Sequence, residues 1–136
     1  MTMPADKTEL SAAINSKAVR DFTRTYKKQN NESWYTIDDG FVAVFTNDGV
    51  KTNVYYDKKG RLIGDIRTYR EDKLPKYIRH QVKSTYYDFN IINVNELTAG
   101  NQKVYLVKLE DKTSYKTIRV QEGEEMTETE AFQKSK

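Results

Sequence analysis

The sequence predicts an α+β fold in which two tandem helix-plus-antiparallel-strands repeats form one sheet, with the helices packed on one face. Three observations predict it. Two stretches carry apolar residues at helical spacing. Each is followed by short alternating segments separated by Asp, Asn and Gly turns. The same order of elements recurs sixty positions later.

The first helix pattern runs from Ile14 to Lys28, with Ser16 as a candidate N-cap. Ala18, Val19, Phe22 and Tyr26 make its apolar stripe, and Gln29-Asn30-Asn31 breaks it. Residues 1–16 are expected to be a flexible N-terminus. Trp34, Tyr35 and Ile37 then lead to the Asp38-Asp39-Gly40 turn. Phe41 to Thr46 reads as an apolar strand. Asn47-Asp48-Gly49 is a hairpin turn, because these residues tolerate positive φ. Val50 to Tyr56 is its partner, Asp57-Lys58-Lys59-Gly60 is a second turn, and Arg61 to Tyr69 is a further strand.

Leu74-Pro75 opens the second helix, with Pro placed where its missing N–H costs nothing. Ile78, Val82 and Tyr86 form its stripe. Strands follow over Ile91 to Leu97, Val104 to Leu109 and Ser114 to Val120. A last short strand is placed near Met126, and residues 127–136 are expected to be an acidic flexible tail. Shifted by sixty positions, Phe22 falls on Val82, Tyr26 on Tyr86, Trp34 on Val94, Val44 on Val104 and Phe45 on Tyr105. The half-repeats then span about 17–70 and 74–126.

Composition narrows the functional classes. The 136 residues carry ten Tyr, five Phe and one Trp, aromatic weight that suits a packed core and not a disordered chain. Net charge is +3, which lacks the basic excess of a dedicated nucleic-acid binder. Six Lys/Arg against two acids lie between Arg67 and Lys83, and five Glu lie beyond Gln121. With no cysteine, disulfides, zinc-thiolate sites and cysteine nucleophiles are excluded. No apolar run approaches the length of a membrane-spanning helix.

No catalytic constellation emerges. The single histidine, His80, lies among Arg79, Gln81 and Lys83 on a helix flank, without a sequence-adjacent nucleophile or orienting partner. Asp38, Asp39, Asp48 and Asp57 sit in separate turns and do not compose a calcium loop. The glycines are scattered, with no phosphate-cradling string. The expectation is no enzyme, no cofactor and no metal.

Strand alternation selects a candidate working face instead. Val50, Thr52, Val54 and Tyr56 are assigned to the helix side, with Leu62, Gly64 and Ile66 and with Ile118 and Val120. The opposite, open side then holds Lys51, Tyr55, Arg61, Arg67, Tyr69, Tyr115 and Arg119 as the candidate binding residues. Tyr and Arg combine apolar area with directed hydrogen bonds and are enriched among interface anchors. The same residues also sit well on a solvated antiparallel sheet with no partner at all. Trp34, just after the first helix, is assigned to closing the core. A protein partner is the leading reading. Small-ligand or nucleic-acid binding on the same face is the alternative, with nucleic acid disfavoured by the charge. Size suits a monomer or a weak dimer.

The layout also carries a family resemblance. The helix with Phe22 and Tyr26, Trp34, Phe41-Val-Ala-Val-Phe45, Val54-Tyr-Tyr-Asp57-Lys-Lys-Gly60, Leu74-Pro75, Tyr86-Tyr87 and Tyr105-Leu-Val-Lys-Leu109 resemble a PepSY-like domain. The type is the one related to β-lactamase-inhibitor proteins (BLIP-like), over residues 17–126. The second half departs from it at Gln121-Glu122-Gly123, where an Asp…Gly turn belongs. The resemblance implies a bacterial, exported, non-catalytic protein that binds other proteins, some relatives acting as inhibitors. It implies a periplasmic or extracellular location after removal of a signal peptide, and it supplies no catalytic residues.

Overall fold

The computed structural model describes residues 15–27 and 31–135. The expected helix ends at Ile14 and Lys28, the break at Gln29 and Asn30, and nearly all of the flexible N-terminus lie outside the described residues. Helix α1 (Ser16–Tyr26) is followed by strands β1 (Ser33–Ile37), β2 (Gly40–Asn47), β3 (Val50–Asp57) and β4 (Leu62–Tyr69). A short 3-10 turn (Glu71–Lys73) leads to α2 (Lys76–Thr85), then β5 (Asn90–Ala99), β6 (Gln102–Glu110), β7 (Ser114–Gln121) and β8 (Thr127–Gln133). The strands form one eight-stranded antiparallel sheet in chain order, as the alternating segments predict. Two compact units divide the chain, residues 1–66 and 67–136.

In the first unit the N-cap lies one residue before the expected Ser16. Asn15, not Ser16, closes the first turn, its side-chain oxygen accepting from the Lys17 N–H at 2.8 Å. The helix buries Ala18 and Phe22 against Trp34, Ala43, Phe45, Val54 and Tyr56. Phe22 meets Trp34 edge-on at 5.4 Å and Phe45 at 5.7 Å, while Trp34 stacks on Tyr56 at 5.7 Å. These aromatic pairs supply directed packing beyond their buried area. Trp34 therefore closes the core, as its position after the helix predicts, and its indole N–H donates to Glu32.

Turn chemistry sets the registers. Asp48 and Gly49 both take positive φ between the paired Asn47 and Val50, the two-residue loop that matches strand twist. The next turn differs. Gly60 N–H donates to the Asp57 carbonyl, Asp57 N–H donates to the Arg61 carbonyl, and Gly60 has φ +82°. This is a turn with an added bulge residue. The Asp57 carboxylate locks it, accepting from the N–H groups of Lys59 and Arg61 and from the Arg61 guanidinium.

In the second unit α2 buries Ile78 and Val82. Ile91, Val94, Tyr105, Val107, Leu109, Ile118 and Val120 are buried on the strands. Ile92 is an extra residue between the Ile91–Leu109 and Asn93–Lys108 pairs. Each pair matched by the sixty-residue shift shares its degree of burial: Phe22 and Val82 are buried, as are Trp34 and Val94 and Phe45 and Tyr105, whereas Tyr26 and Tyr86, like Val44 and Val104, are half-buried. One expectation is corrected here. The segment beginning at Thr127, read as a flexible tail, forms β8 and pairs with β7 through to Gln133. All seven of its residues are exposed, so burial gave the sequence no apolar alternation to display.

Gly60 tests the turn directly. A Cβ there would lie 2.5 Å from the Asn15 side chain and 3.0 Å from the Ala18 nitrogen, at a φ that L-residues resist. Gly60→Ala is expected to cost roughly 1–3 kcal/mol, read as a lower urea midpoint with an unchanged slope.

Candidate functional site

The face turned away from α1 in the first unit is built by register. Tyr35, Val42 and Tyr55 are paired in one row across β1, β2 and β3, and Ser33, Val44 and Asn53 in the next. Val42 is 7% exposed although it points away from the helix, flanked in that row by the two tyrosines. Asn53 donates to the Tyr55 hydroxyl. Lys51 continues the same side of β3 and is exposed.

In the second unit the corresponding rows are Asn93–Lys108–Thr117–Glu130, Asn95–Leu106–Arg119 and Glu110–Tyr115–Phe132. Tyr115 and Phe132 are both exposed, at 41% and 58%. With Ile92, Lys108, Thr117 and Glu130 they border a hollow of about 310 Å³. Lys134 reaches across the rim, its ammonium 5.0 Å from the centre of the Tyr115 ring and 2.7 Å from Glu110. That contact holds the Glu110 carboxyl below its usual range. Thr117 donates to Glu130, and Arg119 donates to Gln121 and Glu124.

Four of the seven candidate binding residues, Lys51, Tyr55, Tyr115 and Arg119, lie on the open side of their own unit. Three do not. Arg61 belongs to the β3–β4 turn and is paired with Asp57 at 2.8 Å. Arg67 and Tyr69 lie on the helix side, and Tyr69 is only 2% exposed. The second half of β4 is turned the other way from its expected assignment: Asp65 accepts from Tyr26 of α1 and Tyr69 is buried, so Gly64 and Ile66 alternate outward. The aliphatic residues of β4 fall on both parities, Leu62 and Ile66 on one and Ile63 on the other, so hydrophobicity does not fix its side. Phe132 and Tyr35 are additions to the face. The only signal in the sequence for Phe132 is a lone aromatic within an acidic run.

Arg67 and Tyr69 instead serve a buried carboxylate. Glu96 Oε1 accepts from the Tyr69 hydroxyl at 2.6 Å. Its Oε2 pairs with Arg67 at 3.2 Å and with Lys103 at 3.3 Å. Glu96 lies on the buried side of β5, paired with Tyr105, which bonds to Tyr77 of α2. Burial by itself would raise the Glu96 carboxyl; the Tyr69 hydrogen bond, Arg67 and Lys103 outweigh it and hold it below its usual range. Burial and then the bond to Glu96 push the Tyr69 hydroxyl upward.

His80 is exposed on α2, where it lines an open surface hollow with Lys76, Arg79, Lys83 and Ser84. Among the described residues no group of three or more His, Cys, Asp or Glu gathers to hold a metal, and no helix is long and apolar enough to cross a membrane.

No family profile and no curated protein matches the sequence. Solved structures do match the fold. A DUF2874 family protein from Bacteroides ovatus superposes with a TM-score of 0.68 at 17% identity, covering 88% of this chain and 87% of that one. A BLIP-like protein from Bacteroides fragilis gives 0.67 at 18% identity, over 88% and 86%. A protein from Bacteroides eggerthii, provisionally assigned to the periplasm, gives 0.66 at 13%, over 88% of each chain. The PepSY-like, BLIP-like architecture expected from the residues is thus found in the fold.

The Glu96 network sets a pH dependence. A carboxyl with a lowered folded pKa stabilises the fold above its unfolded value of about 4.3, and that stability is lost as pH falls through the folded value. A phenol with a raised folded pKa stabilises below about 10 and loses that contribution as pH rises further. Glu96→Gln is expected to cost about 1–3 kcal/mol at neutral pH and to flatten the acid limb of a urea midpoint against pH profile. An unchanged acid limb would separate Glu96 from acid stability.

Proposed function

We propose that this chain is a non-catalytic protein-binding module of an exported bacterial protein, and that its partner docks on the open side of the sheet. The observation that carries this reading is the pair of exposed aromatics, Tyr115 and Phe132, bordering a hollow of about 310 Å³ between Lys108 and Glu130. An apolar hollow with flanking charges of both signs matches how interfaces combine an anchoring side chain with a polar rim. In the first unit Tyr35 and Tyr55, with Lys51 beside them, offer similar chemistry. Arg119 extends the polar rim in the second.

The BLIP-like description of the Bacteroides fragilis relative supports protein binding, inhibition of an enzyme included. The provisional periplasmic assignment of the Bacteroides eggerthii relative supports export. The partner's contribution is an apolar side chain entering the hollow, with polar neighbours reaching Lys108 and Glu130.

Tyr115→Ser combined with Phe132→Ser is expected to weaken a partner recovered by affinity capture by ~2 kcal/mol or more, a factor of about 30. Tyr77→Ser, an exposed tyrosine on α2, is expected to leave binding unchanged. Titration calorimetry on the two variants reads the difference. Equal affinity for the double variant and the wild type removes this face from the reading.

A further inference from the structure

The last strand of the second unit has one side of its backbone free. Among the described residues β8 pairs only with β7, and all seven of its residues are exposed. The pairing is regular from Glu130 to Gln133 and broken at Thr129. Just beyond, the Lys134 N–H donates to the Thr113 carbonyl at 2.8 Å, on the β7 side. N–H groups alternate in direction along a strand. Those of Ala131 and Gln133 therefore point away from β7, toward the free edge.

The side chains beside that edge carry a pattern. Glu130 and Phe132 lie two positions apart and share the open face. Phe132 is 58% exposed, with Tyr115 on one flank and no strand on the other among the described residues. Its inner flank borders the hollow of about 310 Å³. Glu128 is paired with Lys116 at 3.1 Å, whereas Glu130 meets only the neutral Thr117 hydroxyl. A second β8 would bring carboxylates to carboxylates, and like charges set opposite each other destabilise a strand pair. The strand at the other end of the sheet order, β1, has the sequence Ser33-Trp34-Tyr35-Thr36-Ile37 and carries no cation to offer. A foreign strand with a cation opposite Glu130 and an apolar residue opposite Phe132 meets opposite charge and an uncovered ring.

We propose, resting on the docking reading of the open face, that the partner presents a short extended segment that adds a strand to β8 along Glu130–Gln133. The segment carries Lys or Arg two positions from an aromatic or large aliphatic residue. The cation faces Glu130. The apolar side chain covers Phe132 and leans across it toward the hollow, within the roughly 7–8 Å that diagonal cross-strand neighbours span. Backbone hydrogen bonds supply affinity in such strand addition, and the alternate side chains supply selectivity. The break at Thr129 keeps the added strand short.

The test pans a randomised peptide library against the immobilised full chain and titrates the strongest peptide in solution. Enrichment of Lys or Arg two positions from an aromatic or large aliphatic residue is expected. Panning on Glu130→Lys is expected to exchange the cation for Asp or Glu. Ala131→Pro removes an outward N–H and spares the β7 ladder, so it is expected to weaken the peptide about 10-fold. In the wild type, amide exchange at Ala131 and Gln133 slows when the peptide binds. Absence of the enriched pattern, or unslowed exchange at both amides, overturns the proposal. A peptide that loses affinity for the Tyr115→Ser, Phe132→Ser variant but not for Ala131→Pro leaves the hollow as the docking site and overturns the added strand. A dimer of the full chain that Ala131→Pro dissociates gives the edge to a second copy and overturns it as well. Should Ala131→Pro fail to fold, the exchange measurement on the wild type decides.

Discussion

Side chains on a strand alternate, so the phase of each strand decides which residues meet the helix and which face away. On β4 that phase brings Asp65 to Tyr26 and Tyr69 to Glu96, so that each carboxylate gains a tyrosine partner. On β5 an extra residue, Ile92, resets the phase, so that Ile91, Val94 and Glu96 all lie on the buried side.

Helices and turns were legible because their signals are local. The stripe of Ala18, Phe22 and Tyr26, the Pro75 start and the Asp48-Gly49 hairpin each depend on neighbours a few positions away. Trp34 was legible from its place after a helix. The orientation of β4 was not. Its aliphatic residues occupy both parities, Leu62 and Ile66 on one and Ile63 on the other, so hydrophobicity cannot choose a side. The side is seen only in the distant partners, Tyr26 for Asp65 and Glu96 for Tyr69, which a string of letters does not state. Glu96 was equally hidden, since Arg67 and Tyr69 lie 29 and 27 positions away. The open face was therefore found in part. Lys51, Tyr55, Tyr115 and Arg119 follow from strands whose parity the core residues fix, whereas Phe132 sits on a strand that is polar on both faces.

The two units solve one packing problem with different chemistry. In the first, four large rings, Phe22, Trp34, Phe45 and Tyr56, fill the space under the helix. In the second, the positions matching Phe22 and Trp34 are Val82 and Val94, and the buried set is mostly branched aliphatic. The polar content moves accordingly. Beside the rings it is a pair of aspartates with tyrosines, and in the aliphatic unit it is one glutamate held by two cations and a phenol. Each arrangement keeps buried charge close to a donor, the condition under which ionised groups persist away from water.

Among the described residues, the end of the strand order leaves a rim of backbone amides and carbonyls with no neighbouring strand, at β8. Such rims are templates on which further chains can grow into fibrils. Here the rim strand carries Glu128 and Glu130 and a break in its ladder near Thr129. Charge and a broken repeat are the features by which such a rim discourages strand-by-strand growth, and they leave the aromatic side of the same unit untouched.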